Sequence, residues 1–308
     1  MKFYSSDTDY DEYLHGLLNN HLPELYNVGV GPEYQEHTDL TLSSAVAESV
    51  WHNSTVFGVT TPDAAYPVRV EWTGCDNAET YRRHLDSPDH RELLAQNGWI
   101  DREVVYEINS EGWRSANCRE YDIAEPSLVV LGCSFTYGTG LNLEQTWGAK
   151  LAQRMGLTLV NLGMPGHSLD LSTAWLMLNQ HRLQQPRAVI ICETPPARMS
   201  WLTTVAHART AVYTYPLFTL VTEHSSREPQ DIARHHWIIN NLKLNSAVSY
   251  FKNRKLVEYW AKSKNIPFVH FNALSVGSNT YARDLAHFGE DWHDTVALGV
   301  ESYLSENT

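Results

Sequence analysis

A chain of 308 residues, 43% hydrophobic and 19% charged, is long enough for one large domain or two ordinary ones and has the apolar content to bury a sizeable core. Its formal net charge of -13 argues against a general nucleic-acid binder, because such proteins need clustered Lys and Arg to displace counterions from the phosphate backbone. Four scattered cysteines, Cys75, Cys118, Cys133 and Cys192, form no CxxC pair, which points to reduced thiols rather than a disulfide framework or a structural zinc site.

The opening "MKFYSSDTDYDEYLHGLL" carries acids where a secretory signal has a basic start and an apolar core, and no stretch approaches roughly 18 uninterrupted apolar residues. The expectation is a chain without a cleaved signal or a membrane partner, placed in the cytoplasm by default. Residues 1–121 show weak periodicity, with short alternating pieces such as "STVFGVT" and "YPVRVEW" that read as strands. "ETYRRHLDSPDHRELLAQNGW" reads as one or two short helices with Gly98 as a stop signal, and "YEINSEGWRSANCREYDIAEPS" as a turn-rich approach to a second domain. We therefore expect a smaller N-terminal domain over 1–121, of unassigned fold.

From Ser127 onward, short apolar runs alternate with helical ones, the pattern of βαβ units around a parallel sheet. "SLVVLGCS", "LTLVNLG", "AVIICET" and "PFVHFN" read as its strands. Between them "LEQTWGAKLAQRMG" sets Leu143, Trp147, Leu151 and Met155 on one helix face and stops at Gly156. "LDLSTAWLMLNQHRLQQ" predicts a second helix, and 229–264 contains a third. The last, "EDWHDTVALGVESYL", has the stripe Trp292, Val296, Val300 and Leu304. The aromatic stretch at about 195–229 is too long for a plain connection, so it is a binding loop or lid, a small hydrophobic subdomain, or an oligomer contact.

The glycine turn after "SLVVLG" ends a buried strand at the sheet edge where open α/β folds bind ligands. It lacks the Lys-Ser/Thr of a P-loop, the third glycine of a dinucleotide fingerprint and the last glycine of a GxSxG elbow. That leaves Ser134 as a nucleophile on a different α/β scaffold. A serine hydroxyl is weak at neutral pH and needs a histidine base oriented by a carboxylate. "RDLAHFG" supplies Asp284 and His287, three residues apart, a spacing at which one turn lets the carboxylate meet the imidazole; a helix N-cap is the competing role for Asp284. His287 with His293, or His235 with His236, lacks the spacing of a helical metal pair, and we expect no metal.

"VVLGCSFTYGTGL", "VNLGMPGHS" and "RDLAHFG" resemble, in order, the first, second and last blocks of the SGNH (GDSL-type) hydrolase superfamily, over roughly Ser127 to the C-terminus. The resemblance implies a three-layer αβα, flavodoxin-like domain over 122–308, with Ser134 as nucleophile, His287 as base and then acid, and Asp284 as its orienter. It also implies an oxyanion hole using Gly163. Two departures stand out: Cys133 replaces the usual Asp before the serine, and "CETPPARM" replaces the GxND block. Thr194 then stands near the place of the missing Asn, and Arg198 is a further donor or an anion clamp. The implied activity is cofactor-free hydrolysis of an ester, with a short acyl or acetyl group on a carbohydrate as the preferred substrate. Acyl transfer on the same scaffold and a degenerate binding module are the alternatives, and activity is expected to rise with pH as His287 loses its proton.

Overall fold

The computed structural model describes residues 3–4, 68–109, 113–115, 123–194, 199–205, 209–215 and 248–307. Its strands in chain order are β1 (Phe3–Tyr4), β2 (Val68–Val70), β3 (Tyr106–Ile108), β4 (Ile123–Gly132), β5 (Thr158–Gly163), β6 (Leu183–Glu193), β7 (Met199–Val205), β8 (Arg209–Tyr215) and β9 (Phe268–Asn272). The helices are α1 (Ala78–Asp86), α2 (Pro88–Gln96), the single turn α3 (Ser134–Tyr137), α4 (Trp147–Met155), α5 (Leu169–Asn179), α6 (residues 248–264) and α7 (Glu290–Asn307).

The main sheet runs β1-β9-β6-β4-β5. β4 pairs in parallel with β5 and β6, and β6 in parallel with β9, while β1 adds an antiparallel edge to β9. All four expected strands are present, as the α/β reading requires. Taken by sequence, the parallel strands lie in the order 2-1-3-4, so the chain leaves β4 toward one edge and returns past it to β6. The carboxyl ends of β4 and β6 therefore flank a topological switch point, where such sheets place ligands.

Alternation along the strands builds the layers. Leu128 and Val130 of β4, with Ile190 and Phe271, pack against Trp147 and Leu151 of α4 and Trp292, Val296, Val300 and Leu304 of α7. Val129 and Leu131 face the other way, joining Trp175 and Leu176 of α5 and Val257 and Trp260 of α6. Sheet strands buried on both faces read as continuous apolar runs, which is why this part of the sequence was so clear.

Boundaries differ where capping outcompetes the stripe. The helix expected from Leu143 begins at Trp147: Leu143–Gln145 is a 3-10 turn, and Thr146 caps the new helix by accepting from the Ala149 N–H at 3.3 Å. Gly156 ends it in the left-handed conformation (φ 66°), as read. The helix expected through Gln185 stops at Asn179, because Leu183, Gln184 and Gln185 already belong to β6. Ser87-Pro88 divides the earlier helical stretch in two, with Pro88 at a first-turn position that needs no N–H.

The expected strand in "YPVRVEW" is β2, paired antiparallel with β3, and β3 itself lies in the segment read as turns. "STVFGVT" lies outside the described residues, as does the 116–122 stretch where the domain boundary was placed. The described residues on either side of it share one core: Leu94, Trp99, Val104, Tyr106 and Ile108 pack with Tyr137, Leu141 and Ala282. In the 195–229 insertion, β7 and β8 form an antiparallel hairpin. Among the described residues no helix is long and apolar enough to cross a membrane.

Candidate active site

β4 ends at Gly132, and Cys133 turns the chain so that Ser134 opens α3. Ser134 is only 6% exposed. The Thr136 and Tyr137 N–H groups donate to the Cys133 carbonyl at 3.0 and 2.9 Å, and Gly138 N–H to that of Ser134 at 2.9 Å, fixing the turn beneath the hydroxyl. The Ser134 N–H itself meets no acceptor among the described residues. Beyond α3 the chain passes close to a second loop: Arg283 N–H donates to Gly140 O at 3.1 Å, and a Cβ on Gly140 would fall 2.8 Å from that of Ala282. Only glycine permits both this approach and the left-handed φ of 78°.

That second loop carries Asp284 and His287. Leu285 takes a left-handed φ of 53°, which folds three residues into a turn closed by Ala282 N–H to His287 O at 3.0 Å. Asp284 Oδ1 accepts the Ala286 and His287 N–H groups at 3.2 and 3.1 Å, and Oδ2 lies 2.6 Å from His287 Nδ1. A carboxylate can only accept, so Nδ1 carries the proton and Nε2 is left as an acceptor. Nε2 stands 2.7 Å from Ser134 Oγ. Phe135 meets the imidazole edge-on at 5.2 Å and limits its rotation. The three residues singled out in sequence are thus brought into one hydrogen-bonded line, and Asp284 caps no helix, since α7 starts only at Glu290.

Burial alone would favour the neutral acid of Asp284. Hydrogen bonds from His287, Cys75 and the Ala286 N–H, with the charge of His287, outweigh it and hold the carboxyl below its usual range. The orienting anion therefore persists into acid solution.

The other expected site residues fare differently. Gly163 is not a free donor: its N–H donates to Asn161 Oδ1 at 2.9 Å, which corrects the oxyanion role given to it. Its smallness serves packing, since a Cβ there would sit 2.5 Å from the Tyr137 nitrogen. Gly166, in the same loop, is exposed and takes a left-handed φ of 75°. Thr194, just past β6, is 2% exposed and its Oγ1 has no hydrogen-bond partner among the described residues. Arg198 lies outside the described residues, as do His235 and His236. His293 is buried on α7, where Nδ1 accepts the Trp147 N–H at 2.9 Å.

Sequence reasoning missed the contribution of residues 71–114. Cys75 Sγ donates to Asp284 Oδ2 at 3.2 Å. Although the residue is exposed, the sulfur turns inward; its desolvation and then the charge of Asp284 push the thiol up to about 12, so it stays a donor at neutral pH. Asp76 and Arg283 form a buried bidentate pair at 3.0 and 2.8 Å, and Tyr106 donates to the same carboxylate. Arg114 donates to the carbonyls of Tyr137, Gly138 and Leu141 at 3.1, 2.8 and 2.7 Å, with its guanidinium over the Tyr106 ring. These contacts join residues far apart in the chain, so no local spacing announces them.

No protein-family model matches the chain, and no curated protein matches it either. Solved structures do. A member of the lipolytic protein G-D-S-L family from Veillonella parvula is 10% identical, with a TM-score of 0.30, over 58% of this chain and 98% of that one. A GDSL-like lipase from Bacteroides thetaiotaomicron is 14% identical, with a TM-score of 0.27, over 59% of this chain and 89% of that one.

Proposed function

We propose that the protein is a serine esterase in which Ser134 is the nucleophile, His287 the general base and acid, and Asp284 the residue that orients His287. The observation that carries this reading is the line of hydrogen bonds from Ser134 Oγ to His287 Nε2 at 2.7 Å and from His287 Nδ1 to Asp284 Oδ2 at 2.6 Å. A serine at a strand end has no structural need of such an arrangement, whereas activation of its hydroxyl requires it. The same line speaks against a degenerate binding module.

In the first half-reaction Oγ attacks the ester carbonyl carbon while its proton passes to Nε2, giving a tetrahedral oxyanion. Collapse expels the alcohol, which takes the proton from Nε2, and leaves an acyl-serine. Water then gives a proton to Nε2 as it attacks the acyl carbon; the second collapse releases the acid and returns the proton to Oγ. The oxyanion is assigned to the Ser134 N–H and the Thr194 hydroxyl. Thr194 supports this because an unpartnered buried hydroxyl at the switch point has a bond to give. A short acyl ester, and among these an acetyl group on a carbohydrate, is the proposed substrate class.

A fluorophosphonate probe tests the reading. The expected result is one adduct, located on Ser134 by mass spectrometry and lost in His287→Ala, followed by hydrolysis of acetyl esters in preference to long-chain ones. A folded protein that takes no probe overturns the esterase, and a preference for long chains overturns the substrate class.

A further inference from the structure

We propose that Cys75, Asp284 and His287 form an inhibitory site for a divalent cation of the zinc class. Sγ, Oδ2 and Nδ1 of these residues all lie within 4.8 Å of one another. The sulfur is 3.2 Å from Oδ2 and 4.0 Å from Nδ1, and Oδ2 and Nδ1 are 2.6 Å apart. Tetrahedral zinc, with bonds of about 2.0–2.3 Å, sets its donor atoms about 3.3–3.6 Å apart. The sulfur–carboxylate edge is near that value, the sulfur–imidazole edge has to close by roughly 0.4 Å, and the carboxylate–imidazole edge has to open by less than about 1 Å. A thiolate, an imidazole and a carboxylate together select zinc-like cations over magnesium or calcium. The exposed side of Cys75 leaves the fourth position to water.

Occupancy and base function exclude each other. The cation takes the Nδ1 lone pair, so the imidazole stays neutral with its proton on Nε2, and the thiol releases one proton to solvent as its sulfur binds. No electrons change hands. Nε2–H then donates toward Ser134 Oγ at the point where it has to accept. This inhibition rests on the esterase reading, whereas cation binding does not.

Cobalt(II) serves as the spectroscopic probe, with the full chain. The expected result is thiolate-to-cobalt charge-transfer absorption that saturates at one equivalent, is displaced by Zn²⁺ and is missing in Cys75→Ala and Cys75→Ser. Zn²⁺ should also slow fluorophosphonate labelling, reversibly with a chelator. The concentration for half-inhibition, taken against each variant's own metal-free rate, should rise at least about tenfold in both substitutions. Absence of the absorption in the unsubstituted protein overturns the proposal. So does equal zinc inhibition with and without the thiol, which would move the cation to the His84 and His90 pair, whose Nδ1 atoms are 3.1 Å apart. If the metal-free protein takes no probe but shows the cobalt band, the cation site stands and the esterase reading falls.

Discussion

A buried hydroxyl without a partner burdens a folded protein with roughly 1–3 kcal/mol of desolvation, and among the described residues Thr194, just past the end of β6, bears such a group. Valine has the same shape without the oxygen. Thr194→Val should therefore leave the unfolding midpoint unchanged or raise it, while lowering kcat about 10²-fold through loss of one oxyanion donor. Denaturant titration and ester hydrolysis on the same preparation separate these effects; a variant that loses stability, or keeps full kcat, removes Thr194 from the oxyanion hole. The hydroxyl was read as a donor from its place in the chain, but its lack of a partner was not. Gly163 shows the converse limit, since one residue type serves equally as an oxyanion donor or as a packing gap, and only the acceptor on Asn161 decides.

At the scale of elements, the site depends on two loops held in register. The serine loop is clamped by Arg114, which donates to its carbonyls, and the His287 loop by Arg283, which donates to Asp76 and to the Glu71 carbonyl. Removing one partner of a buried ion pair leaves the other charge stranded, at about 3–5 kcal/mol. Asp76→Asn should destabilise the protein by that order and slow probe labelling, because Arg283 adjoins Asp284 in the chain. An unchanged unfolding free energy would show the pair to be replaceable. This clamp was illegible in sequence for a physical reason. β2 and β3 are three residues each, too short for alternation to stand out, and the polar residues that matter find their partners across separations such as the 207 residues between Asp76 and Arg283. Asp284 and His287 were legible because their partnership is local, needing one left-handed residue between them.

For the whole molecule, the sheet and its two helical layers follow from apolar runs and 3.6-residue stripes that burial imposes directly, so the fold was read where the core is thick. The described N-terminal segment shares a core with the loops of the site, and its stability and theirs should be lost together. Acid stability adds a further buried group, on α7. His293 is 1% exposed, and its desolvation first, then the charges of Lys150, His287 and Arg114, lower its pKa to about 3 against a small opposing effect of Asp291. Between the ordinary imidazole value of about 6.5 and that depressed value, the unfolded chain holds a proton that the folded one refuses. Stability contributed by the neutral ring is therefore full above about 6.5 and falls as pH drops toward 3, with a slope of up to about 1.4 kcal/mol per pH unit. His293→Gln keeps an acceptor for the Trp147 N–H but takes up no proton. Urea unfolding across this window should give a shallower loss for the variant than for the parent, and parallel curves would show that the acid sensitivity of the fold comes from other groups.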